Sequence, residues 1–112
     1  MPKSIIRAYS RYSRDAVALL GKLIRSARKE RLLTTQELAE RAGISRGLLQ
    51  RIEKGDLTCG IGTAFEVATI VGVKLFEVEE TTLTKHIRQA DEKLALLPKS
   101  IRKTTTVVND DF

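Results

Sequence analysis

Apolar side chains recur at helical spacing in several consecutive segments of this 112-residue chain, separated by short polar or glycine-containing stretches. The pattern predicts a first helix over residues 15–31, capped by Ser13 or Asp15. The side chains expected to face the core from this helix are Ala16, Leu20, Leu23, Ile24 and Ala27. The same helical period recurs along the chain, and it predicts an all-α fold.

Two short helices joined by a glycine turn are predicted next. Thr34 and Glu37 have the spacing of a capping box, which marks the start of a helix, and Gly43 is suited to end that helix. Ser45 is a favoured N-cap for a second helix, which Gly55 is suited to end. The inward positions of the pair are Leu38, Ala39, Ala42, Leu49 and Ile52. The segment therefore reads as a helix–turn–helix.

The remaining pattern completes a small helical domain and adds one more helix. Gly60 opens a fourth helix that Gly72 ends, and Leu75 and Phe76 begin a short fifth. Thr81 or Thr82 caps a further amphipathic helix that Pro98 ends. Its apolar stripe consists of Leu83, Ile87, Ala90, Leu94 and Leu97. This stripe is expected to fold back onto the core, form a dimer interface or contact a partner, and we favour the dimer or the partner.

These elements predict four regions. Residues 1–14 form a basic N-terminal arm, and residues 15–80 form the helix–turn–helix domain. Residues 81–98 form the amphipathic helix, and residues 99–112 form an extended or disordered tail.

Charge favours nucleic acid as the partner. The formal net charge is +6, and residues 1–31 hold nine Lys or Arg against Asp15 and Glu30, a net of +7. A basic face of this kind neutralises phosphates and releases counterions. The outward positions of the second short helix are small, hydrogen-bonding or cationic: Ser45, Arg46, Gly47, Gln50 and Arg51.

Residues from about Leu19 to Phe76 resemble the Xre/Cro family of helix–turn–helix domains, which includes the lambdoid phage repressors. The resemblance is carried by Ile24-Arg25, Arg28, Leu38-Ala39, Gly43-Ile44-Ser45, Leu49, Ile52-Glu53, Gly55, Ala68, Gly72-Val73 and Leu75-Phe76. It implies five short helices around one core and a homodimer on a palindromic double-stranded DNA operator. It also implies that Arg28 and Glu53 form an internal ion pair, and it places Leu32 where the family often has glycine.

The expected DNA-binding residues follow from the resemblance together with side-chain chemistry. Thr35, Gln36 and Ser45 are expected to bind phosphates, with Thr35 standing where the family often has glutamine. Arg46, Gln50 and Arg51 are expected to read base edges. Gly47 permits close approach, and Leu48 either contacts a thymine methyl group or packs inward.

The C-terminal region resembles HipB-type antitoxins. Residues 94–99, of sequence Leu-Ala-Leu-Leu-Pro-Lys, and the terminal Asp110-Asp111-Phe112 carry this resemblance. It implies a repressor of its own operon that also binds a HipA-like kinase toxin. The alternatives are a stand-alone dimeric repressor, phage-like or chromosomal, and a protein-interaction adaptor.

Other classes of function find no support in the sequence. Cys59 and His86 are the only residues of their types, which excludes an intramolecular disulfide and a zinc motif and gives His86 no evident catalytic partner. We therefore expect no enzymatic activity, no metal and no cofactor. No segment approaches a membrane span or a signal peptide, so we expect a cytoplasmic, nucleoid-associated protein.

Overall fold

A computed structural model describes residues 8–76, 79–101 and 103, and the chain divides into two compact units after Glu77. The first unit contains α1 (Arg11–Glu30), α2 (Thr35–Ala42), α3 (Arg46–Glu53) and α4 (Ile61–Ile70). In the second unit a 3₁₀ turn, Glu80–Thr82, leads into α5 (Leu83–Ala95). No strand occurs among the described residues, which confirms the predicted all-α fold. The predictions for residues 1–7 and 104–112 lie outside the described residues.

Helix α1 begins four residues earlier than the predicted start at Asp15. Its N-cap is Ser10, whose hydroxyl oxygen accepts a hydrogen bond from the backbone N–H of Ser13 at 3.1 Å. The prediction that Ser13 or Asp15 caps this helix is therefore wrong. Tyr12 is the only apolar residue in the added turn, and it is exposed, so the apolar period carried no signal there.

The buried face of α1 also differs from the predicted one. Gly21, Ile24 and Arg28 are its buried residues. Ala16 is exposed and Leu23 is 45% exposed, so neither belongs to the core as expected. The inward face is centred on a glycine and an arginine, which a search for apolar side chains does not recognise.

One apolar core joins the four helices of the first unit. Its fully buried side chains come from every helix and from the residue after α4: Ile24, Leu38, Leu49, Val67 and Val71. Such burial is the main favourable contribution to folding. Helices of eight residues are not stable alone, so the short α2 and α3 depend on this core, which holds them against α1 and α4.

Close backbone packing places the end of α3 against α1. A Cβ atom on Gly21 would lie 2.6 Å from the carbonyl oxygens of both Ile52 and Glu53. Gly55, which follows α3 with φ of 82°, would bring a Cβ atom within 3.0 Å of Ala18 Cα. Glycine at these two positions therefore allows the closest approach of α3 to α1, and this contact sets the orientation of α3.

All four helices of the first unit end in the same way. In each, a residue at the C-cap or directly after it has positive φ, and the following N–H bonds back five residues: Leu33 to Arg28, Ile44 to Ala39, Asp56 to Arg51 and Val73 to Ala68. This is the Schellman arrangement, in which the positive-φ residue is usually glycine. Glycine occupies that position in three helices, but after α1 it is Leu32, with φ of 58°.

We expect Leu32→Gly to raise the free energy of unfolding by about 0.5–1 kcal/mol. A left-handed conformation costs an L-residue roughly 1–2 kcal/mol, of which the greater unfolded-state entropy of glycine offsets a part. The Leu32 side chain is 88% exposed, so its removal costs little packing. Thermal unfolding measures the change, expected as a rise of ~2–8 °C in Tm. Leu32→Ala is the control, and equal stability of the two variants would contradict the argument.

The chain after α4 departs from the predicted pattern. Leu75 and Phe76 form a bend instead of starting a fifth short helix, and Phe76 packs edge-on against Phe65 with ring centroids 6.1 Å apart. Thr82 occupies the N-cap of α5 but makes no capping bond, since its hydroxyl donates to the carbonyl of Glu79. The helix ends at Ala95, three residues before Pro98.

Candidate DNA-binding site

The outer face of α3 carries most of the predicted site. Leu49, Ile52 and Glu53 are buried and hold the helix to the domain. The side chains left exposed are those of Ser45, Arg46, Gln50 and Arg51, with Gly47 among them. An exposed helix of this composition offers cationic and amide donors on the side away from the core, and these are the groups that read base edges in a major groove.

Leu48 is the exception among the predicted site residues on α3. Its side chain is half-buried and packs against the core cluster. Of the two roles expected for Leu48, inward packing is therefore present in the structure. A contact with a thymine methyl group stays a prediction.

The N-terminus of α2 forms a second part of the site. The capping box is present: Thr34 Oγ1 accepts from the Glu37 amide at 3.0 Å, and the Thr34 amide donates to Glu37 Oε1 at 2.8 Å. The hydrogen bond from the Thr34 amide lowers the pKa of Glu37. Thr35 and Gln36 follow in the first turn, where helix N–H groups have no partner within the helix and attract anions. Gln36 also donates its side-chain amide to Glu40 at 2.9 Å.

A polar groove lies between α2 and α3. It has a volume of about 160 Å³ and is lined by Arg25, Arg28, Thr35, Gln50, Glu53 and Lys54. The groove brings Thr35 of α2 close to Gln50 of α3. From the sequence, Thr35 was expected to bind a phosphate and Gln50 to read a base edge. Ser45 lies at the start of α3, where its hydroxyl oxygen accepts from the Leu48 amide at 3.0 Å and so caps the helix.

A buried ion pair supports this groove from inside. Arg28 Nε donates to Glu53 Oε2 at 2.8 Å, and Arg28 Nη2 donates to Glu53 Oε1 at 3.1 Å. The two side chains are only 9% and 7% exposed. Arg28 Nη1 also donates to the carbonyl oxygen of Leu33 at 2.9 Å, in the turn before α2. The hydrogen bonds that Arg28 donates to Glu53 raise the pKa of Arg28, against the opposing effect of burial.

Comparison with known proteins agrees with this geometry. Residues 24–78 match the helix-turn-helix family model HTH_3, a stretch that covers α2, α3 and α4 and the later half of α1. These residues form a helix-turn-helix domain of that family. The buried Arg28–Glu53 pair lies within it, as the resemblance to Xre/Cro domains implied.

One relative extends the comparison beyond the helix-turn-helix domain. The chain is 33% identical over 76 residues to the immunity repressor protein of Bacillus phage phi105. The alignment covers 66% of this chain and 53% of that protein, so the chain spans about half of its relative's length. No solved structure shows a significant match to the chain.

The domain also contains candidate DNA-binding residues that sequence reasoning missed. Lys54, the C-cap residue of α3, is exposed and lines the polar groove one turn beyond Gln50. Arg25 lines the same groove from α1. Lys54 was detectable because it lies seven residues after Gly47, on the same helix face. Arg25 had no such signal, since its place in the groove depends on how α1 packs against α3.

Arg51 has partners of its own in the domain. Its Nε donates to Asp56 Oδ2 at 2.9 Å, and its Nη2 donates to Thr58 Oγ1 at 3.2 Å. Asp56 accepts from the amide and the hydroxyl of Thr58 as well. These bonds from Thr58 and Arg51 hold the pKa of Asp56 far below its usual range, and the hydrogen bond to Asp56 raises the pKa of Arg51. The loop after α3 therefore holds one of the expected base-reading side chains.

We expect Asp56→Asn to tighten binding of the domain to its operator by about threefold to fivefold. Surface ion pairs contribute little, so Arg51 can leave Asp56 for a guanine edge, and neutralising Asp56 removes even that small cost. Asparagine keeps an oxygen that accepts from the Thr58 amide. The measurement is a DNA titration followed by fluorescence anisotropy. Asp15→Asn, which makes the same charge change on α1, is the control; weaker binding by Asp56→Asn would show that Asp56 orients Arg51 for DNA.

The other reactive side chains of the described chain do not form a site. Cys59 lies half-buried beside an apolar cavity of about 280 Å³, and burial raises the pKa of its thiol. His86 is exposed on α5. Among the described residues, no three His, Cys, Asp or Glu side chains are grouped so as to hold a metal ion. Nor does any helix in that part of the chain have the length and apolar character needed to cross a membrane.

Proposed function

We propose that this chain is a sequence-specific DNA-binding transcriptional repressor that acts as a homodimer on a double-stranded DNA operator. The observation that carries the proposal is the outer face of α3, whose exposed side chains are donors without a carboxylate among residues 45–51. The helix-turn-helix match and the similarity to a phage immunity repressor protein support it.

The proposed mechanism divides the site residues into two groups. Thr35, Gln36 and Ser45 bind phosphates and fix the position of the domain on the duplex, a role that carries no sequence information. Arg46, Gln50 and Arg51 reach base edges from α3, where Gly47 lets the backbone come close. Lys54 and Arg25 add cationic contacts at the polar groove.

Dimerisation explains how a single short helix, α3, can contribute to binding that is specific for one DNA sequence. One helix of eight residues reads only a few base pairs. Two copies related by a twofold axis place their α3 helices in successive major grooves ~34 Å apart and double the number of base contacts. The bound dimer then prevents access of RNA polymerase. The protein would accordingly act in the cytoplasm, at the nucleoid.

Hydroxyl-radical footprinting on the DNA upstream of the chain's own gene tests this proposal. We expect two protected segments separated by about one helical turn, with related inverted sequences. Arg46→Ala is expected to reduce both protections together. Uniform protection along the fragment, or protection that a scrambled duplex reproduces, would overturn the proposal of a specific repressor.

The finer proposal is that the repressor is the antitoxin of a HipA-like kinase toxin and regulates its own operon. It is supported by the resemblance of residues 94–99 and 110–112 to HipB-type antitoxins. A stand-alone dimeric repressor and a protein-interaction adaptor are the alternatives, and a kinase-like reading frame beside the gene would favour the antitoxin over both.

We expect a chain that ends at Lys103 to keep operator binding and to lose the toxin. The truncation removes the Asp-Asp-Phe end and leaves every described residue in place. Co-purification with the kinase encoded beside the gene measures toxin binding, and operator anisotropy is the internal control for folding. Retention of the kinase by the shortened chain would contradict the role assigned to the tail.

A further inference from the structure

Helix α5 carries an apolar stripe that is exposed from Ile87 onward. None of its thirteen residues is buried. Ile87 is 60% exposed, Leu94 is 64% exposed, and Leu97, just past the helix, is 51% exposed. Apolar side chains in such a row are normally covered by another surface.

The spacing of the apolar residues indicates which kind of surface packs against the stripe. Its members follow one another in steps of four, three, four and three residues: Leu83, Ile87, Ala90, Leu94 and Leu97. This is the heptad repeat of a two-stranded coiled coil, with Ile87 and Leu94 at a positions and the other three at d positions. Ile87 at a, between Leu83 and Leu97 at d, follows the combination that favours two parallel strands, whereas Leu94 at a and Ala90 at d do not add to this preference. The Leu97 amide donates to the Leu94 carbonyl at 3.1 Å, which continues the turn past Ala95.

The charges beside the stripe favour one orientation. In a parallel pair, His86 at g faces Asp91 at e of the second copy, and an imidazole N–H donates to the carboxylate. In an antiparallel pair, His86 would face Lys93 of the second copy, while Asp91 would face Thr84. The other charged residues of the helix, Lys85, Arg88 and Glu92, lie at outer b and f positions and face neither seam.

We propose that α5 pairs with α5 of a second copy of this chain as a short parallel coiled coil. The inference deepens the proposed function, on which it rests for the twofold arrangement on DNA. Two heptads with alanine at the central d position form a weak interface, because short helices are marginally stable. Binding of two domains at adjacent half-sites raises the effective concentration of α5 and completes the pair.

Disulfide cross-linking in the full-length chain tests the pairing and its direction. Cys59→Ser removes the only native thiol, and Leu94→Cys, Leu83→Cys or Arg88→Cys is then added singly. In a parallel pair, position 94 lies opposite position 94 of the second copy, so Leu94→Cys cross-links to itself. In an antiparallel pair a positions face d positions, so position 94 lies opposite position 83 and only a mixture of Leu94→Cys and Leu83→Cys cross-links. Arg88→Cys, at an outer position, reports random collision.

The expected result, in glutathione redox buffer without DNA, is a covalent dimer of Leu94→Cys at least about tenfold more abundant than that of Arg88→Cys. Added Asp91→Lys should reduce this dimer by removing the carboxylate that accepts from His86, and added His86→Asp should then restore it. Equal cross-linking of Leu94→Cys and Arg88→Cys, or preferential linkage between positions 83 and 94, would overturn the proposal. Operator binding is measured separately on the reduced variants. Loss of DNA binding with intact cross-linking would contradict the proposed repressor function but not the pairing of α5.

Discussion

Glu53→Gln is expected to lower the free energy of unfolding by about 3 kcal/mol, equivalent to a fall of ~12–24 °C in Tm. The substitution keeps the shape of the side chain and one accepting oxygen but leaves the Arg28 guanidinium buried without a counter-ion. Breaking a buried pair from one side costs about 3–5 kcal/mol, and the retained hydrogen bond places this variant near the lower end. Thermal and urea unfolding followed by circular dichroism measure the effect.

Two further variants separate the cost of an orphaned charge from a general sensitivity of the fold. Arg28→Met combined with Glu53→Leu removes both charges, and we expect it to recover most of the lost stability, apart from the Leu33 carbonyl that loses its donor. Glu66→Gln, on the exposed side of α4, is expected to change the free energy of unfolding by less than ~0.5 kcal/mol. If the double variant were less stable than Glu53→Gln, the pair would contribute net stability and our account of it would be wrong.

Arg46→Ala and Arg51→Ala are each expected to weaken operator binding by roughly 5- to 150-fold and to relax specificity at the base pair that each contacts. Each side chain is exposed on the outer face of α3, so neither substitution should disturb the core. The effect of Arg51→Ala should be the smaller, because Arg51 must leave Asp56 and Thr58 to reach DNA.

Affinity alone does not identify a base contact, since loss of any cation weakens binding to a polyanion. Arg41→Ala makes the same charge change in the last turn of α2, at the far end of the helix from Thr35. It is expected to weaken binding to operator DNA and to scrambled DNA equally. Arg46→Ala should instead reduce the ratio between operator and scrambled affinities. An unchanged ratio for both Arg46→Ala and Arg51→Ala would contradict the assignment of α3 to the major groove.

The sequence predicted the helix–turn–helix with its caps because the signals there are local. The Thr34–Glu37 capping box, the left-handed Gly43 and the Ser45 cap each depend on residues within a few positions of one another. The Arg28–Glu53 pair joins residues 25 positions apart and was expected only from the family resemblance, which the structure confirms.

The sequence failed where tertiary packing decides. The inward face of α1 is centred on Gly21 because the backbone carbonyls of α3 lie against it. The spacing of apolar residues in the sequence does not predict that contact. The bond between Arg51 and Asp56 depends on the course of the loop after α3. The groove that joins Arg25 to Thr35 forms only when three helices meet, so its cationic lining could not be read from their separate patterns.

The most direct test of the central claim is fluorescence anisotropy with DNA from immediately upstream of the chain's own gene and a scrambled duplex, across ~50–200 mM salt. A sequence-specific repressor predicts a preference of ~10³-fold or more for the upstream sequence that persists as salt rises. Equal affinities for both duplexes, falling together and steeply with salt, would contradict sequence-specific repression at that site.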